Sequence, residues 1–291
     1  MPTPSQKLRA LIEKGEHFIA GEAFSAITGR ILEHVGFKAA YLGGHACSAF
    51  HYAIPDNGCY SQIEQIEQAG RIAAVMDIPL VSDADTLGET VADAYRLTQM
   101  YVRAGVAGYH VEDERNPKHS TSAGGLCTIE EMQLRIEAAR KGAVSVNDPD
   151  FVIIARCDEL YLPSMGGGGE GSLENAIERG KAYAAAGADV ITYPLASMDA
   201  HAALVAALPV PVCTIGYNVP DTICTLSTGW GWVAAAKGHM AMAKELLETG
   251  RVTSDNRFPE KLELIGNPVY DELIRDWADR TGVGSRVNNV S

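Results

Sequence analysis

Two stretches, AGVAGYHVED (residues 104–113) and AGADVITYP (residues 186–194), decide the fold. Each closes a helix-period segment on an Ala-Gly pair and then runs directly into a short apolar strand. Glycine ends helices because it accepts left-handed backbone at the exit turn. A strand that is apolar on both faces belongs in a parallel sheet covered by helices. The same grammar extends in both directions. Candidate strands are His17–Ala23, Ala39–Gly44, Pro79–Asp85, Val106–Asp113, Phe151–Asp158, Asp189–Pro194 and Val210–Ile215, with Thr222–Thr228 as a weaker eighth. Amphipathic segments lie between them: Ser25–Val35, Gln62–Val75, Glu89–Ala104, Ile129–Lys141, Leu173–Ala186 and Met198–Leu208, followed by Ala234–Glu248. About eight βα units in roughly 210 residues favour a closed (β/α)8 TIM barrel of the α/β class. A doubly wound sheet is the alternative, but no GxGxxG follows the first strand, which removes its dinucleotide-binding form.

The barrel is assigned to residues 1–250. Residues 251–291 form a C-terminal extension with one helix, Tyr270–Arg280, whose apolar residues Leu273, Ile274 and Trp277 need a partner surface. A neighbouring subunit fits that need, so a homo-oligomer is expected. The glycine run Met165–Ser172 reads as a flexible surface loop, and it lacks the Lys-Ser/Thr of a phosphate-binding loop.

The formal net charge of −13 argues against nucleic acid or an anionic membrane as partner, since no broad surface would neutralise phosphates. No apolar run reaches the roughly 20 residues of a membrane span. The six cysteines form no CxxC pair and read as reduced thiols. With no apolar core in the N-terminal stretch to suggest a secretory signal, a cytoplasmic location is expected.

The C-terminal ends of barrel strands carry the chemistry. Asp83 and Asp85 lie two apart on the third strand and so share a face, and Glu112 or Asp113 arrives from the fourth. Carboxylates crowded together call for a cation. Mg²⁺, or Mn²⁺ in its place, is the hard oxygen-seeking ion suited to them. Capping of the following helices is the competing reading. Arg156, closing the apolar run FVIIAR, has a guanidinium suited to a substrate carboxylate, or alternatively to a salt bridge with Asp158. Gly43 and Gly44 leave backbone N–H groups to face an anion, or simply make a turn. In the polar loop Asn116–Ser122, Lys118 is the stronger candidate for chemistry and His119 reads as a solvated loop histidine.

These residues resemble the isocitrate lyase / phosphoenolpyruvate mutase superfamily. The motifs are YLGG (41–44), IPDNG (54–58), SDADTLG (82–88), YHVEDERNPK (109–118), IEEMQLRIEAA (129–139), FVIIARCD (151–158) and AGADVITYP (186–194), in the family's order. The resemblance implies a barrel whose extra C-terminal helix is swapped between subunits of a tetramer or dimer. It implies Mg²⁺ held by Asp85 directly, and by Asp83 and Glu112 through water. It places Tyr41, the backbone of Gly43 and Gly44, and Arg156 around a substrate carboxylate, with Asp56 near the reacting end. The implied chemistry passes through an enolpyruvate-type anion.

Two departures bear on the reaction. The carbon–carbon lyases of the family carry Lys-Arg/Lys-Cys-Gly-His in the loop after the fourth strand, and here Ser120 takes the place of the cysteine acid. Their glutamate after the sixth strand is Leu195 here. The phosphomutases carry Pro-Lys-x-Asn-Ser, of which only Pro117-Lys118 is matched, and Glu114 replaces a common lysine. Beyond residue 210 the match to the family's pattern degrades. The expectation is a lyase that cleaves a carbon–carbon bond of, or decarboxylates, a small 2-hydroxy or 2-oxo di- or tricarboxylate, with Asp56, Lys118, Ser120 and Arg156 as catalytic residues. The alternatives are an isomerase or hydrolase acting on a P–C bond, and a non-catalytic barrel that binds a metal–carboxylate ligand.

Overall fold

Strand formation follows the apolar runs. A computed structural model describes residues 1–119, 122, 124–194, 196–253, 258 and 260–283. Its strands are β1 (Phe18–Glu22), β2 (Ala39–Leu42), β3 (Leu80–Asp83), β4 (Gly108–Glu112), β5 (Val152–Arg156), β6 (Val190–Thr192), β7 (Val212–Ile215) and β8 (Cys224–Leu226). Each lies within the stretch expected from sequence, including the weak eighth. They pair in parallel and in sequence order, and β8 returns to β1 to close a (β/α)8 barrel.

Alternation along the strands builds two cores. Ala39 and Tyr41 of β2, Val81 of β3, Val152 and Ile154 of β5 and Val190 of β6 fill the lumen, together with Cys213, Cys224 and Leu226. Their neighbours Ala40, Leu42, Leu80, Tyr109, Val111, Ile153, Ala155 and Ile191 face outward and pack beneath the helices. The lumen is therefore a filled core with one free end for chemistry.

The helices are α1 (Pro4–Glu13), α2 (Ala26–His34), α3 (Gly44–Cys47), α4 (Gln62–Ala73), α5 (Val91–Arg103), α6 (Ile129–Ser145), α7 (Leu173–Ala185), α8 (Met198–Ala207), α9 (Gly231–Thr249), α10 (Lys261–Leu264) and α11 (Asn267–Thr281). Capping boxes start α1, α2, α4, α5 and α6, with Thr3, Ser25, Ser61, Thr90 and Thr128 as caps. Each such cap contributes about 1 kcal/mol and fixes where the chain turns off the barrel rim.

Helix α1 has no counterpart in the sequence reading. Its Leu8 enters the lumen cluster, and Ser5 and Arg9 reach Asp148, Asp150 and Asp189 before β5 and β6. It therefore plugs the N-terminal end of the barrel. After β2 the chain forms α3 and then a five-residue π-helical turn, Ser48–Tyr52, in a stretch the sequence left irregular.

The glycine run after β5 is a packed turn rather than a loose loop. Gly167 and Gly169 are buried, and their N–H groups donate to the carbonyls of Leu162 (3.0 Å) and Tyr161 (2.9 Å). A side chain at Gly169 would collide with the backbone of Asp158 and Glu159, which explains the composition.

The chain divides into two units, Met1–Lys237 and Gly238–Ser291. In the second, α11 carries an exposed apolar stripe of Val269, Tyr270, Leu273, Ile274 and Trp277. Among the described residues, no helix is long and apolar enough to cross a membrane.

Candidate active site

The same alternation that fills the lumen carries its top layer. Two residues beyond Val81 the inward position is Asp83, two beyond Ile154 it is Arg156, and on β4 the inward pair is His110 and Glu112. Register aligns Asp83 with His110 and Glu112 with Arg156 across neighbouring strands. Of the two acids ending β4, only Glu112 enters the lumen end. Asp113 faces α7, where it accepts from Tyr183 Oη (2.6 Å) and Arg179 Nη1 (3.2 Å).

Asp85 reaches the site by another route. β3 ends at Asp83, and Asp85 stands in left-handed backbone (φ 43°), so a turn, rather than strand alternation, brings it beside Asp83. One ligand oxygen from each of Asp83, Asp85 and Glu112 fits within a span of 4.8 Å, and all three side chains are buried. None of them is the N-cap residue of the helix that follows its strand, although Asp83 accepts from the first N–H of α3.

Each carboxylate has a distinct environment. Asp83 accepts from the N–H of Gly44 (2.9 Å) and of Asp85 (2.9 Å), and its Oδ1 lies 3.5 Å from His110 Nε2. His110 Nε2 also meets Tyr41 Oη at 2.8 Å. Asp85 accepts from Gln62 Nε2 (3.1 Å) and forms a close ion pair with Lys118. Glu112 Oε1 lies 3.2 Å from Lys118 Nζ and Oε2 lies 3.0 Å from Arg156 Nη1, yet neither oxygen has an aligned hydrogen bond. Asp56 completes the ring, with Oδ1 3.4 Å from Lys118 Nζ.

Asp56, Asp83, Asp85 and Glu112 thus meet two cations, Lys118 and Arg156, all with little or no exposure. Burial opposes charge at Asp83, but His110, Lys118 and Arg156 outweigh it and hold that carboxyl below its usual range. Burial pushes Asp85 up to about 8, with Lys118 opposing the shift and Asp83 and Glu112 reinforcing it. An all-oxygen donor set with surplus negative charge, and with Glu112 oxygens lacking aligned donors, fits a hard divalent cation such as Mg²⁺.

The other expected residues converge here, with differences. Gly44 uses its N–H on Asp83, so that donor supports the acid rather than a substrate. A Cβ on Gly44 would stand 2.9 Å from Asp83 Oδ2 and 3.0 Å from Tyr60 Oη, and one on Gly43 would stand 3.0 Å from Thr228 Oγ1. A side chain at Gly44 would force Asp83 to shift, and one at Gly43 would crowd Thr228. Arg156 makes the salt bridge weighed as its alternative role, Nε to Asp158 Oδ1 at 2.9 Å, while Nη1 serves Glu112 and Nη2 meets His119 Nε2 at 3.2 Å. His119 is therefore a site residue, not a solvated one. Its ring also meets the Asp56 carbonyl oxygen through Nδ1 at 3.1 Å and the Tyr161 ring edge-on at 5.7 Å. Ser120 and Leu195 lie outside the described residues.

His110 stands among the polar residues that end the fourth strand, two before Glu112, but the sequence reading gave it no role. Gln62 and Tyr101 come from α4 and α5. Gln62 bridges Tyr101 Oη (2.9 Å) to Asp85, an arrangement with no local signature.

With this geometry in place, likeness to known proteins becomes specific. A 2,3-dimethylmalate lyase of Eubacterium barkeri is 33% identical over 187 residues, 64% of this chain and 61% of the relative. The chain thus spans about three-fifths of that relative's length. An oxaloacetate decarboxylase of Marinomonas sp. is 31% identical over 228 residues, 76% of this chain and 75% of the relative. A phosphonopyruvate hydrolase solved with oxalate and Mg²⁺ superposes with a TM-score of 0.79 at 26% identity, covering 96% of this chain and 99% of that one. The family model described as phosphoenolpyruvate phosphomutase matches residues 8–230, and the chain belongs to that family, within the phosphoenolpyruvate mutase/isocitrate lyase superfamily.

Proposed function

We propose that this protein is a Mg²⁺-dependent lyase that cleaves a carbon–carbon bond of, or decarboxylates, a small 2-hydroxy or 2-oxo di- or tricarboxylate. The observation that carries this reading is the buried triad of Asp83, Asp85 and Glu112 at the open end of the barrel, with the Arg156 guanidinium 3.0 Å from Glu112. Asp83, Asp85 and Glu112 would hold the ion, with Mn²⁺ as a substitute. When bound, it supplies a Lewis acid that stabilises negative charge on a substrate oxygen. Arg156 offers a substrate carboxylate its Nη2, which otherwise meets His119, while Asp158 and Glu112 hold Nε and Nη1. Tyr41 Oη, held by His110, and the backbone at Gly43 border the same end. Lys118, wholly buried, balances the acids and keeps water from them. Asp56 presents its side chain beside Lys118 and its carbonyl oxygen to His119, near the reacting end. Residues 1–250 form the catalytic barrel in this reading. The C-terminal extension, residues 251–291, docks its α11 stripe on another copy in a homodimer or homotetramer.

Incubation of the pure protein with Mg²⁺ and a panel of oxaloacetate, substituted malates, methylisocitrate and phosphonopyruvate tests the assignment. Release of pyruvate or glyoxylate, abolished by EDTA and restored by Mg²⁺ or Mn²⁺, is the expected result. A second reading, hydrolysis or rearrangement at a P–C bond, draws on Pro117-Lys118 and on the likeness to the phosphonopyruvate hydrolase. A changed ³¹P spectrum with phosphonopyruvate, and no cleavage of the carboxylates, would establish it instead. Thermal stabilisation by Mg²⁺ and these acids without turnover of any would leave a binding barrel.

A further inference from the structure

Carbon–carbon cleavage of a 2-hydroxy acid requires one proton to leave the hydroxyl and one to reach the released carbon. Among the described residues, the acids beside Arg156 include Glu114, which burial pushes up to about 7 and which lies 3.8 Å from His119 Nε2. The other candidates are few. Lys118 is held among three carboxylates, which keep its ammonium protonated well above the usual range despite burial. Burial raises the Tyr41 hydroxyl likewise. Cys127 is buried beside Arg135 and Asp113, away from Arg156, and burial pushes its thiol up to about 11.

His119 differs from all of these. Nδ1 faces the Asp56 carbonyl oxygen at 3.1 Å, which only accepts, and Nε2 faces Arg156 Nη2 at 3.2 Å, which only donates. The two contacts fix the tautomer: the proton is on Nδ1 and the lone pair is on Nε2. Tyr161 packs edge-on against the ring, which keeps one-fifth of its side-chain surface open. A carboxylate that takes Arg156 Nη2 in place of His119 releases the Nε2 lone pair and sets its own neighbouring atoms beside it.

We propose that His119 Nε2 carries the proton of the reaction, taking it from the substrate 2-hydroxyl and returning it to the carbon freed by cleavage. The proposal rests on the lyase reading above. As the O–H bond breaks toward Nε2, the C2=O double bond forms and the C2–C3 bond breaks. The electron pair stays on C3, beside the second carboxylate, and the imidazolium then gives its proton to C3. A 2-oxo acid and a carboxylate leave, with no net proton and no co-reactant. Asp85 and Glu112 need no part in the transfer.

Among the described residues, the groups facing His119 are Asp56, Glu114 (Oε2 3.8 Å from Nε2), Arg156, Lys118, Glu112 and Tyr161. Burial first, then Arg156 and Lys118, lower its pKa below 6.5, and the acids oppose this more weakly. A lowered pKa favours the neutral ring that a base requires.

The test compares wild type, H119N and H119Q on the best-cleaved 2-hydroxy acid of the panel, from pH 5 to 9 by roughly unit steps, across the range where a histidine titrates. The expected result is a kcat lower by about 100-fold or more in both variants, with KM little changed and the fall of wild-type rate below neutrality absent from their profiles. Added imidazole restores part of the rate. An active wild type whose variants stay within about threefold, or keep the same acid limb, overturns the proposal and leaves the lyase reading standing. A wild type inert on every hydroxy acid removes the proposal, and one inert on oxaloacetate as well removes the lyase reading with it.

Discussion

Replacing Lys118 with methionine is the most informative perturbation of the site. The ammonium is wholly buried, pairs closely with Asp85, and lies 3.2 Å from Glu112 and 3.4 Å from Asp56. At an effective dielectric of about 20, each of the latter two pairs carries roughly 5 kcal/mol of attraction. Desolvation of both partners offsets much of that. The cost of removing the cation is set instead by the carboxylates left buried without a counter-charge, about 3–5 kcal/mol. In a chain of this size 1 kcal/mol moves Tm by roughly 2–4 °C, so K118M should unfold about 10 °C below wild type in EDTA. Mg²⁺ competes with the ammonium for the same oxygens. It should therefore raise the Tm of K118M more than that of wild type and close most of the gap. Thermal unfolding with and without Mg²⁺ reads both effects. An unchanged Tm in EDTA, or equal Mg²⁺ responses, would refute Lys118 as the counter-ion of this cluster.

Three further outcomes follow from single contacts. Gly44→Ala sets a methyl 2.9 Å from Asp83 Oδ2 and displaces the N–H that holds it, so turnover should fall more than about tenfold in a folded protein, as circular dichroism alongside the assay will check. Asp113→Asn weakens the link to Arg179 and Tyr183 behind the barrel. It should lower the urea midpoint by the equivalent of about 2–3 kcal/mol, and an unchanged midpoint would show that the pair contributes nothing. Glu131 closes the capping box of α6, and its hydrogen bonds to Thr128 and pairing with Arg115 lower its pKa from 4.5 to about 2. A depressed carboxylate pKa stabilises the fold above the unfolded value and loses that contribution as pH falls through the folded one. Wild type and E131Q should therefore differ in Tm above pH 4.5 and converge near pH 2. A gap that persists in acid would contradict the assignment.

The strand-ending polar residues were legible because strands have a period of two and barrels have one open end. Once Val81, Ile154 and Tyr109 are given a face, Asp83, Arg156 and Glu112 follow. The same rule would have chosen Glu112 over Asp113 and added His110. Local sequence says nothing, by contrast, about where a loop lies. His119 looked solvated because nothing in NPKHS records that it folds onto Arg156 and Asp56, which are distant in sequence.

The sequence by itself determined the repeating βα units, the caps that begin the outer helices and the acids at the strand ends, because each depends on periodicity or on a neighbour a few residues away. The tertiary structure decided what those groups touch. It turned Asp85 inward through left-handed backbone, sank Lys118 among carboxylates, divided Arg156 between Glu112 and Asp158, and plugged the barrel with α1. Such contacts join residues far apart in the chain, where charge balance and burial set the arrangement and no local pattern records it.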